Sequence, residues 1–201
     1  MSEATDDRHK ERMARKKEVQ DRKLAEATRE QGLLVVYTGA GKGKTTASLG
    51  TVFRALGHGM TVGVVQFIQG AIPTGESALA ARLAPQLRWH VLGEGFTWET
   101  QDRSRDEAAA RRGWEKAVEL IRDPALDLVV LDELNVVLKL GLLPAAGVLD
   151  ELAGRREMLH VVVTGRGAPP ELIELADLVT DMGAVKHPFR SGVKPQKGIE
   201  F

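Results

Sequence analysis

The sequence predicts an α/β protein with a mainly parallel sheet flanked by helices. Two observations favour this fold class. From Gly32 onward, short apolar runs alternate with segments of helical spacing, which is typical of a parallel α/β sheet. The first apolar run leads directly into a glycine-rich turn. A length of 201 residues suits one such domain with a full core and an appendage.

The appendage is residues 1–31, which are dense in Lys, Arg, Glu and Asp and nearly free of large apolar side chains. This composition predicts a solvated, partly disordered helix, or one that becomes ordered only over a bound ligand. We therefore expect a charged arm over residues 1–31 and an α/β domain over residues 32–201.

The first half of the domain is predicted to hold three strands. Leu33–Thr38 is an unbroken apolar run before a glycine-rich turn, and it therefore reads as a buried strand. A helix over Lys44–Leu56 follows and ends before a Gly-His-Gly turn. Thr61–Phe67 is again apolar, whereas Arg88–Leu92 is a weaker and shorter strand candidate.

The second half continues the alternation. Arg103–Arg122 has apolar residues at helical spacing. Leu126–Leu131 and Met158–Val163 are strong strands, and Leu178–Thr180 is a short last strand. The polar tail from Gly183 is predicted to be irregular. In such sheets, ligands bind beyond the carboxyl ends of the strands, which here means segments 38–45, 67–76, 93–100, 132–135 and 164–168.

The glycine-rich turn is predicted to bind phosphate. Its backbone N–H groups, the helix N-terminus and Lys44 suit phosphate oxygens, and the Thr45 hydroxyl suits Mg²⁺. The usual spacing G-x-x-x-x-G-K-[ST] would put a glycine at position 38, where Thr38 stands, so the loop is a variant with an extra cation at Lys42. A turn that binds nothing is the alternative. The candidate nucleotide-binding residues here are Gly39, Ala40, Gly41, Lys42, Gly43, Lys44, Thr45 and Thr46.

Three further segments are candidates for the site. Asp132 and Glu133 close an apolar strand, a position from which a carboxylate can hold Mg²⁺ opposite Thr45. Alternatively, the two acidic residues simply begin the next helix, since a helix N-terminus favours negative charge. Arg166, in a glycine-bracketed turn, suits a phosphate or simply the surface. Phe96 and Trp98 either pack onto the core or form an aromatic wall for a large flat ligand.

Composition excludes several classes of function. The 28 basic and 28 acidic residues balance, so nothing argues for bulk electrostatic binding to nucleic acid or to a membrane. Cysteine is absent, which excludes disulfides, thiolate catalysis and Cys-based metal sites. With no signal-peptide pattern and no apolar run long enough to span a bilayer, a cytoplasmic protein is expected.

The chain resembles the phosphate-loop class of ATP:corrinoid adenosyltransferases, and the resemblance covers Gly32 to Phe201. The phosphate loop is one residue shorter than the usual spacing, which is unusual for an ordinary kinase but fits the pattern of this family. The segments that carry the resemblance are Gly39–Thr46, Val62–Ile68, Gly95–Thr100, Val129–Asn135, Val163–Gly167 and the tail residues of Val185–Ile199.

The resemblance implies that Co(I) of a corrinoid attacks the 5′ carbon of ATP and expels triphosphate. It implies Mg²⁺ (or Mn²⁺) held by Thr45, Asp132 and Glu133, with Lys44 and Glu133 as catalytic residues. It makes Phe96 and Trp98 candidates for the corrin face. A reduced flavoprotein donor and a homodimer are also implied. A small phosphate-loop kinase or ATPase is the alternative enzyme, and a nucleotide-gated regulator or corrinoid carrier is the non-enzymatic one.

Overall fold

The computed structural model describes residues 3–70, 74–95 and 102–200. Its backbone falls into two compact units that divide between Gln31 and Gly32. In the first unit, helix α1 spans Glu3–Glu26, and its described side chains are nearly all exposed. Charged residues dominate the sequence of this helix.

The second unit contains a six-stranded sheet, and every strand pairing in it is parallel. The predicted α/β fold class is thereby confirmed. The strand order is β3-β2-β4-β5-β1-β6, so β1 lies between β5 and the edge strand β6. The strands are β1 Leu34–Thr38, β2 Val62–Gln66, β3 Leu87–Val91, β4 Leu128–Asp132, β5 His160–Thr164 and β6 Leu178–Asp181.

Helices connect these strands. Two of them were predicted from the sequence, the helix after the glycine-rich turn and the long helix before β4. Among the residues that the structure describes, four shorter helices were not, because each is too brief to show a clear period. The described helices of this unit are α2 Lys44–Gly57, α3 Gly75–Ala80, α4 Arg103–Arg122, α5 Leu134–Lys139, α6 Ala145–Ala153 and α7 Pro170–Leu175. The tail holds a 3-10 turn at Pro188–Ser191.

Each face of the sheet carries its own core, because successive strand residues point to opposite faces. On β4, Val129 and Leu131 belong to the cluster shared with α4, α5, α6 and α7. Leu128 and Val130 belong to the cluster shared with α2 and α3. With both faces covered, the strands read as continuous apolar runs, which is why the sequence shows them clearly.

Two strands lie later in the chain than the sequence suggested. The predicted strand Leu126–Leu131 is observed as Leu128–Asp132, and Met158–Val163 is observed as His160–Thr164. In both cases the strand takes in one polar residue that is itself buried, Asp132 or Thr164. These two side chains are hydrogen-bonded to each other, which allows a sheet interior to hold them. In the described part of the chain, no helix is both long and apolar enough to cross a membrane.

Candidate active site

The variant spacing of the glycine-rich turn has a structural reason. Thr38, which stands where the usual motif has glycine, is the last residue of β1 and is buried. Its hydroxyl accepts a hydrogen bond from the Ala168 N–H at 3.2 Å. The left-handed conformation that favours glycine begins one residue later, at Gly39, with φ 98°. The strand thus runs one residue further before the loop turns.

The turn packs against the residues that follow β6. The Gly41 N–H donates to the Met182 carbonyl at 2.6 Å. A side chain at Gly39 would meet the Asp181 carboxylate and would place its Cβ 2.6 Å from the Met182 nitrogen. The edge strand therefore supports the loop from behind, and glycine is required at position 39 for both conformation and space.

Lys44, the first residue of α2, lies buried under this loop. Its ammonium donates to the carbonyls of Gly39 at 3.0 Å and Gly41 at 2.5 Å. Burial lowers the pKa of Lys44, and the nearby Glu133 carboxylate opposes that shift. The cation is thus held at the loop by its own backbone, in the position from which a lysine reaches phosphate oxygens.

Asp132, the last residue of β4, is the centre of a buried hydrogen-bond network. Its Oδ1 accepts from the Thr45 hydroxyl at 2.9 Å and from the Thr164 hydroxyl at 2.7 Å. Its Oδ2 accepts from the Gln66 amide at 3.1 Å. The ends of β2, β4 and β5 and the start of α2 therefore meet at one carboxylate.

Glu133 has a strained backbone next to this network. It is the one non-glycine residue with positive φ, 64°, in the described part of the chain. Its N–H donates to the Thr164 hydroxyl at 2.9 Å. It precedes α5 in the N-cap position, but its side chain makes no capping hydrogen bond. Burial, followed by the charge of Asp132, raises the pKa of Glu133. A helix-capping role alone does not account for this carboxylate.

These side chains surround a cleft of about 220 Å³. It receives most of the residues predicted for the nucleotide site, whereas Gly39, Ala40 and Asp132 are not among the residues that line it. Arg166 reaches the cleft from a turn in which both flanking glycines have positive φ. The cleft is lined by Gly41, Lys42, Gly43, Lys44, Thr45, Thr46, Gln66, Gln69, Thr74, Glu76, Glu133, Arg166, Ile199 and Glu200.

The lining contains residues for which sequence reasoning gave no role. Gln66 and Glu76 come from the end of β2 and the start of α3, and Ile199 and Glu200 come from the tail. The Lys42 ammonium forms an ion pair with the Glu200 carboxylate. The rule that ligands bind beyond strand ends pointed to segment 67–76, but nothing in the sequence singled out Glu76. The two predicted corrin-binding aromatics, Phe96 and Trp98, lie outside the described residues.

The loop before the undescribed segment is anchored beside the cleft. The N–H groups of Leu92 and Gly93 both donate to the Gln66 carbonyl, and the Gly95 N–H donates to the Ile68 carbonyl. Glu94 forms ion pairs with Arg105 and Arg112 on α4. The hydrogen bond from Arg105 lowers the pKa of Glu94. The predicted corrin-binding segment thus follows a loop that is tied to the end of β2.

The oxygen ligands at the cleft suit Mg²⁺. Within residues 3–70, 74–95 and 102–200, no three His, Cys, Asp or Glu side chains cluster as a complete metal cage. Mg²⁺ does not need one, since it binds one or two carboxylates together with substrate phosphates and waters. Thr45 and Asp132 supply adjacent oxygens, and the partners of Asp132 orient it.

Comparison with known proteins assigns the family. Residues 30–201 match the family described as "ATP:corrinoid adenosyltransferase BtuR/CobO/CobP". The chain belongs to this family. Residues 1–24 also match a segment described as "Cob(I)alamin adenosyltransferase N terminal". The resemblance stated from the sequence is confirmed, and with it the transferase class of the function.

Relatives named "Corrinoid adenosyltransferase" match over nearly the whole chain. The protein of Pseudomonas aeruginosa is 57% identical over 98% of this chain and 97% of its own length. That of Sinorhizobium sp is 50% identical, covering 100% of this chain and 94% of its own. That of Escherichia coli K12 is 45% identical, covering 98% and 100%. The shared length includes both the charged arm and the α/β domain.

Proposed function

We propose that this chain transfers the 5′-deoxyadenosyl group of ATP to the Co(I) centre of a corrinoid in the cleft described above. The cobalt supplies the electron pair of the new Co–C bond, and the bond between the 5′ carbon and its oxygen breaks. Inorganic triphosphate leaves with the electron pair of the broken carbon–oxygen bond. The network that joins Lys44, Thr45 and Asp132 at one end of the sheet is the observation that supports this placement most strongly.

The cleft suits a reaction whose nucleophile comes with the substrate. Among the described residues that line it, none is serine, cysteine or histidine. Co(I) is already a strong nucleophile, so the protein needs no activated side chain of its own. Its task is to align the cobalt with the 5′ carbon and to stabilise charge on the departing triphosphate.

Charge stabilisation is assigned to the phosphate loop. Lys44, Arg166 and the loop N–H groups would bind triphosphate oxygens, and Lys42 would join them once it leaves Glu200. Thr45 and Asp132, with Glu133 beside them, would hold Mg²⁺ or Mn²⁺. When bound, that cation neutralises part of the phosphate charge. Glu133 is the second acidic residue of this assignment, and its pKa is raised by burial first and by the nearby Asp132 charge second.

Phe96 and Trp98 are proposed to cover the corrin face, where apolar rings would exclude water and a lower axial ligand from cobalt. Removal of axial ligands eases reduction of Co(II). We therefore expect Trp98→Ala to slow adenosylation strongly from Co(II) and much less from chemically prepared Co(I). Equal loss in both assays would remove this role from Trp98.

The remaining partners are also part of the proposal. A reduced flavoprotein would supply the electron that converts Co(II) to Co(I), and the enzyme would act as a homodimer. The cytoplasm is its proposed setting, since ATP is a substrate. Deletion of residues 1–28 tests the two alternatives for the charged arm: weaker corrinoid affinity would support a helix ordered by a bound ligand, and unchanged affinity would support a solvated helix.

An anaerobic assay tests the reaction. Purified protein is mixed with ATP, Mg²⁺ and chemically reduced cobalamin, and both products are analysed. We expect a light-sensitive adenosylated corrinoid and an equal amount of triphosphate. ADP or phosphate without a Co–C bond would instead indicate a kinase or ATPase built on the same loop.

A further inference from the structure

The turn that carries Arg166 is fixed to the end of β1 at two points. Just before the arginine, the Gly165 N–H donates to the Tyr37 carbonyl at 3.1 Å. Two residues after it, the Ala168 N–H donates to the Thr38 hydroxyl at 3.2 Å. Thr38 is the residue that stands in place of the first glycine of the usual phosphate-loop motif. Because glycine has no hydroxyl, the variant loop gains a contact that the usual motif cannot make.

Helix α5 also holds this turn. Asn135 is fully buried, and its amide nitrogen donates to the Gly165 carbonyl at 3.1 Å. The packing is so close that a Cβ on Gly165 would lie 2.9 Å from the Cβ of Asn135. A Cβ on Gly167 would lie 2.7 Å from the Cδ of Lys139. The turn therefore has little freedom to move relative to α5.

The Arg166 side chain itself is left free. It is exposed, lines the cleft, and makes no hydrogen bond or ion pair with another described residue. Burial lowers the pKa of Lys44, and the charge of Arg166 lowers it further, so the two cations act on the same part of the cleft. Lys42, in contrast, is paired with Glu200. A guanidinium that has a fixed backbone and no protein partner suits an anionic ligand with several oxygens.

We propose that Thr38 and Asn135 are positioning residues that orient Arg166 toward the departing triphosphate. This deepens the proposed function and rests on triphosphate being formed and held at the phosphate loop. Because Thr38 directly precedes that loop, its hydroxyl also fixes the distance between the loop and the Arg166 turn. Displacement of a catalytic group by about 1 Å can cost on the order of a hundred-fold in rate, so a small movement of the turn matters.

The first test uses Thr38, for which a matched pair of substitutions exists. Thr38→Val keeps the branched shape of the side chain but removes the hydroxyl, whereas Thr38→Ser keeps the hydroxyl. Binding of inorganic triphosphate with Mg²⁺ is measured by calorimetry, and the single-turnover rate is measured from preformed Co(I). Arg166→Ala should lower both by roughly ten- to a hundred-fold, the size expected for lost hydrogen bonds to a charged group. Thr38→Val should lower both by about five- to ten-fold, because a displaced guanidinium keeps part of this interaction, and Thr38→Ser by less than about two-fold.

A double-mutant cycle then shows whether Thr38 acts through Arg166. In a chain that already carries Arg166→Ala, Thr38→Val should cause less than about two-fold further loss, because the group that it positions is gone. In a chain that carries Lys42→Ala, the loss from Thr38→Val should be as large as in the unaltered protein, since Lys42 lies on the loop and not on the turn. If the loss from Thr38→Val persisted in full beside Arg166→Ala, Thr38 would act on the phosphate loop alone and its assignment would be wrong.

Asn135→Ala is the second test, and it leaves the phosphate loop unaltered. It should reproduce both the loss of triphosphate affinity and the absence of a further loss beside Arg166→Ala. Asn135 lies two residues after Glu133, so a general disturbance of α5 would raise the Mg²⁺ concentration for half-maximal activity. We expect that concentration to stay unchanged. A raised Mg²⁺ requirement, with a loss that adds to that of Arg166→Ala, would mean that Asn135 serves only the fold of α5.

Failure of the proposed function would look different from failure of these positioning roles. In the first case the unaltered protein would form no adenosylated corrinoid, although calorimetry with triphosphate would still measure the coupling between Thr38 and Arg166. In the second case adenosylation by the unaltered protein would be normal, and the losses from Thr38→Val and Asn135→Ala would each add to that from Arg166→Ala.

Discussion

The two walls of the cleft are built in different ways. On the phosphate-loop side, the side chains of Lys44, Thr45 and Asp132 all have hydrogen-bond partners within the protein. On the facing side, the described residues leave acceptor atoms of Gln66 and Glu76 without donors. Both walls border the same space, but they differ in whether these particular side chains already have partners in the protein.

This difference separates two tasks. A wall whose dipoles are already fixed stabilises the charge of a leaving group without reorganising during the reaction. A wall whose acceptors await donors gains its hydrogen bonds only from a substrate with matching donor groups, so it contributes selectivity. The first wall should therefore control the rate, and the second should control which nucleotide is used.

The largest expected effect is that of Lys44→Ala. Without the buried cation, charge on the departing triphosphate loses its main protein partner, and kcat should fall by roughly a hundred- to a thousand-fold. Single-turnover rates with preformed Co(I) measure this directly, because reduction of cobalt is then not involved.

Lys42→Ala is the matched control, since it removes a cation from the same loop. Lys42 is 47% exposed and paired with Glu200, so its loss should cost less than about ten-fold. If the two variants lost activity equally, the phosphate loop would act through its total charge. The distinction between a wall whose side chains already have partners and a wall whose acceptors lack donors would then lose its main support.

The next effect concerns the carboxylate at the centre of the first wall. In Asp132→Asn one of the two oxygens becomes an amide, which no longer matches the donors Thr45, Thr164 and Gln66. The Mg²⁺ concentration for half-maximal activity should rise by roughly ten- to a hundred-fold. Thr164→Ser retains the hydroxyl and should change it far less. An unchanged Mg²⁺ requirement with lost thermal stability would mean that Asp132 serves only the fold.

The first wall was largely predictable from the sequence. The phosphate loop, Asp132 and Glu133 each adjoin an apolar strand, and parallel strands end at one edge of the sheet. Strand bounds shifted by one or two residues because Asp132 and Thr164 are polar yet buried. These two polar residues can be buried because they are hydrogen-bonded to each other. The bond links positions 32 residues apart, so the local sequence around either residue does not indicate it.

The second wall was not predictable in the same way. Glu76 lies on a helix of six residues, which is too short to show a period in the sequence. Glu200 reaches the loop from a tail 158 positions away, and neither end of that ion pair indicates the other. The sequence predicted only an irregular tail from Gly183, so nothing indicated that an acidic residue of this tail would reach the loop. Whether Phe96 and Trp98 meet a corrin stays a prediction.

Glu200→Gln should have a smaller effect, and in the favourable direction. The ion pair competes with phosphate for Lys42, so removing the carboxylate frees the cation for ATP. Because exposed pairs contribute roughly 0–1 kcal/mol, KM for ATP should fall by about two- to five-fold, with kcat little changed. Lys197→Ala alters another charge of the same tail and should leave KM unchanged. A higher KM in Glu200→Gln would show that the tail helps to build the first wall.

The smallest effect concerns what steadies the second wall. Glu94 joins the loop beside Gln66 to α4 through exposed ion pairs with Arg105 and Arg112, whereas the first wall relies on buried hydrogen bonds.

The hydrogen bond from Arg105 lowers the pKa of Glu94, so the stabilising contribution of Glu94 is present above the pKa of an unfolded glutamate and is lost as the pH falls through the lowered value. Glu94→Gln should therefore unfold slightly more easily than the unaltered protein at neutral pH, and the two should converge at acid pH, once the pH lies below the lowered pKa of Glu94. Denaturant unfolding across that range measures the difference. Added salt at neutral pH should reduce it as well, because these charges are solvent-exposed. A difference that persisted at low pH would mean that Glu94 acts through packing and not through its ion pairs.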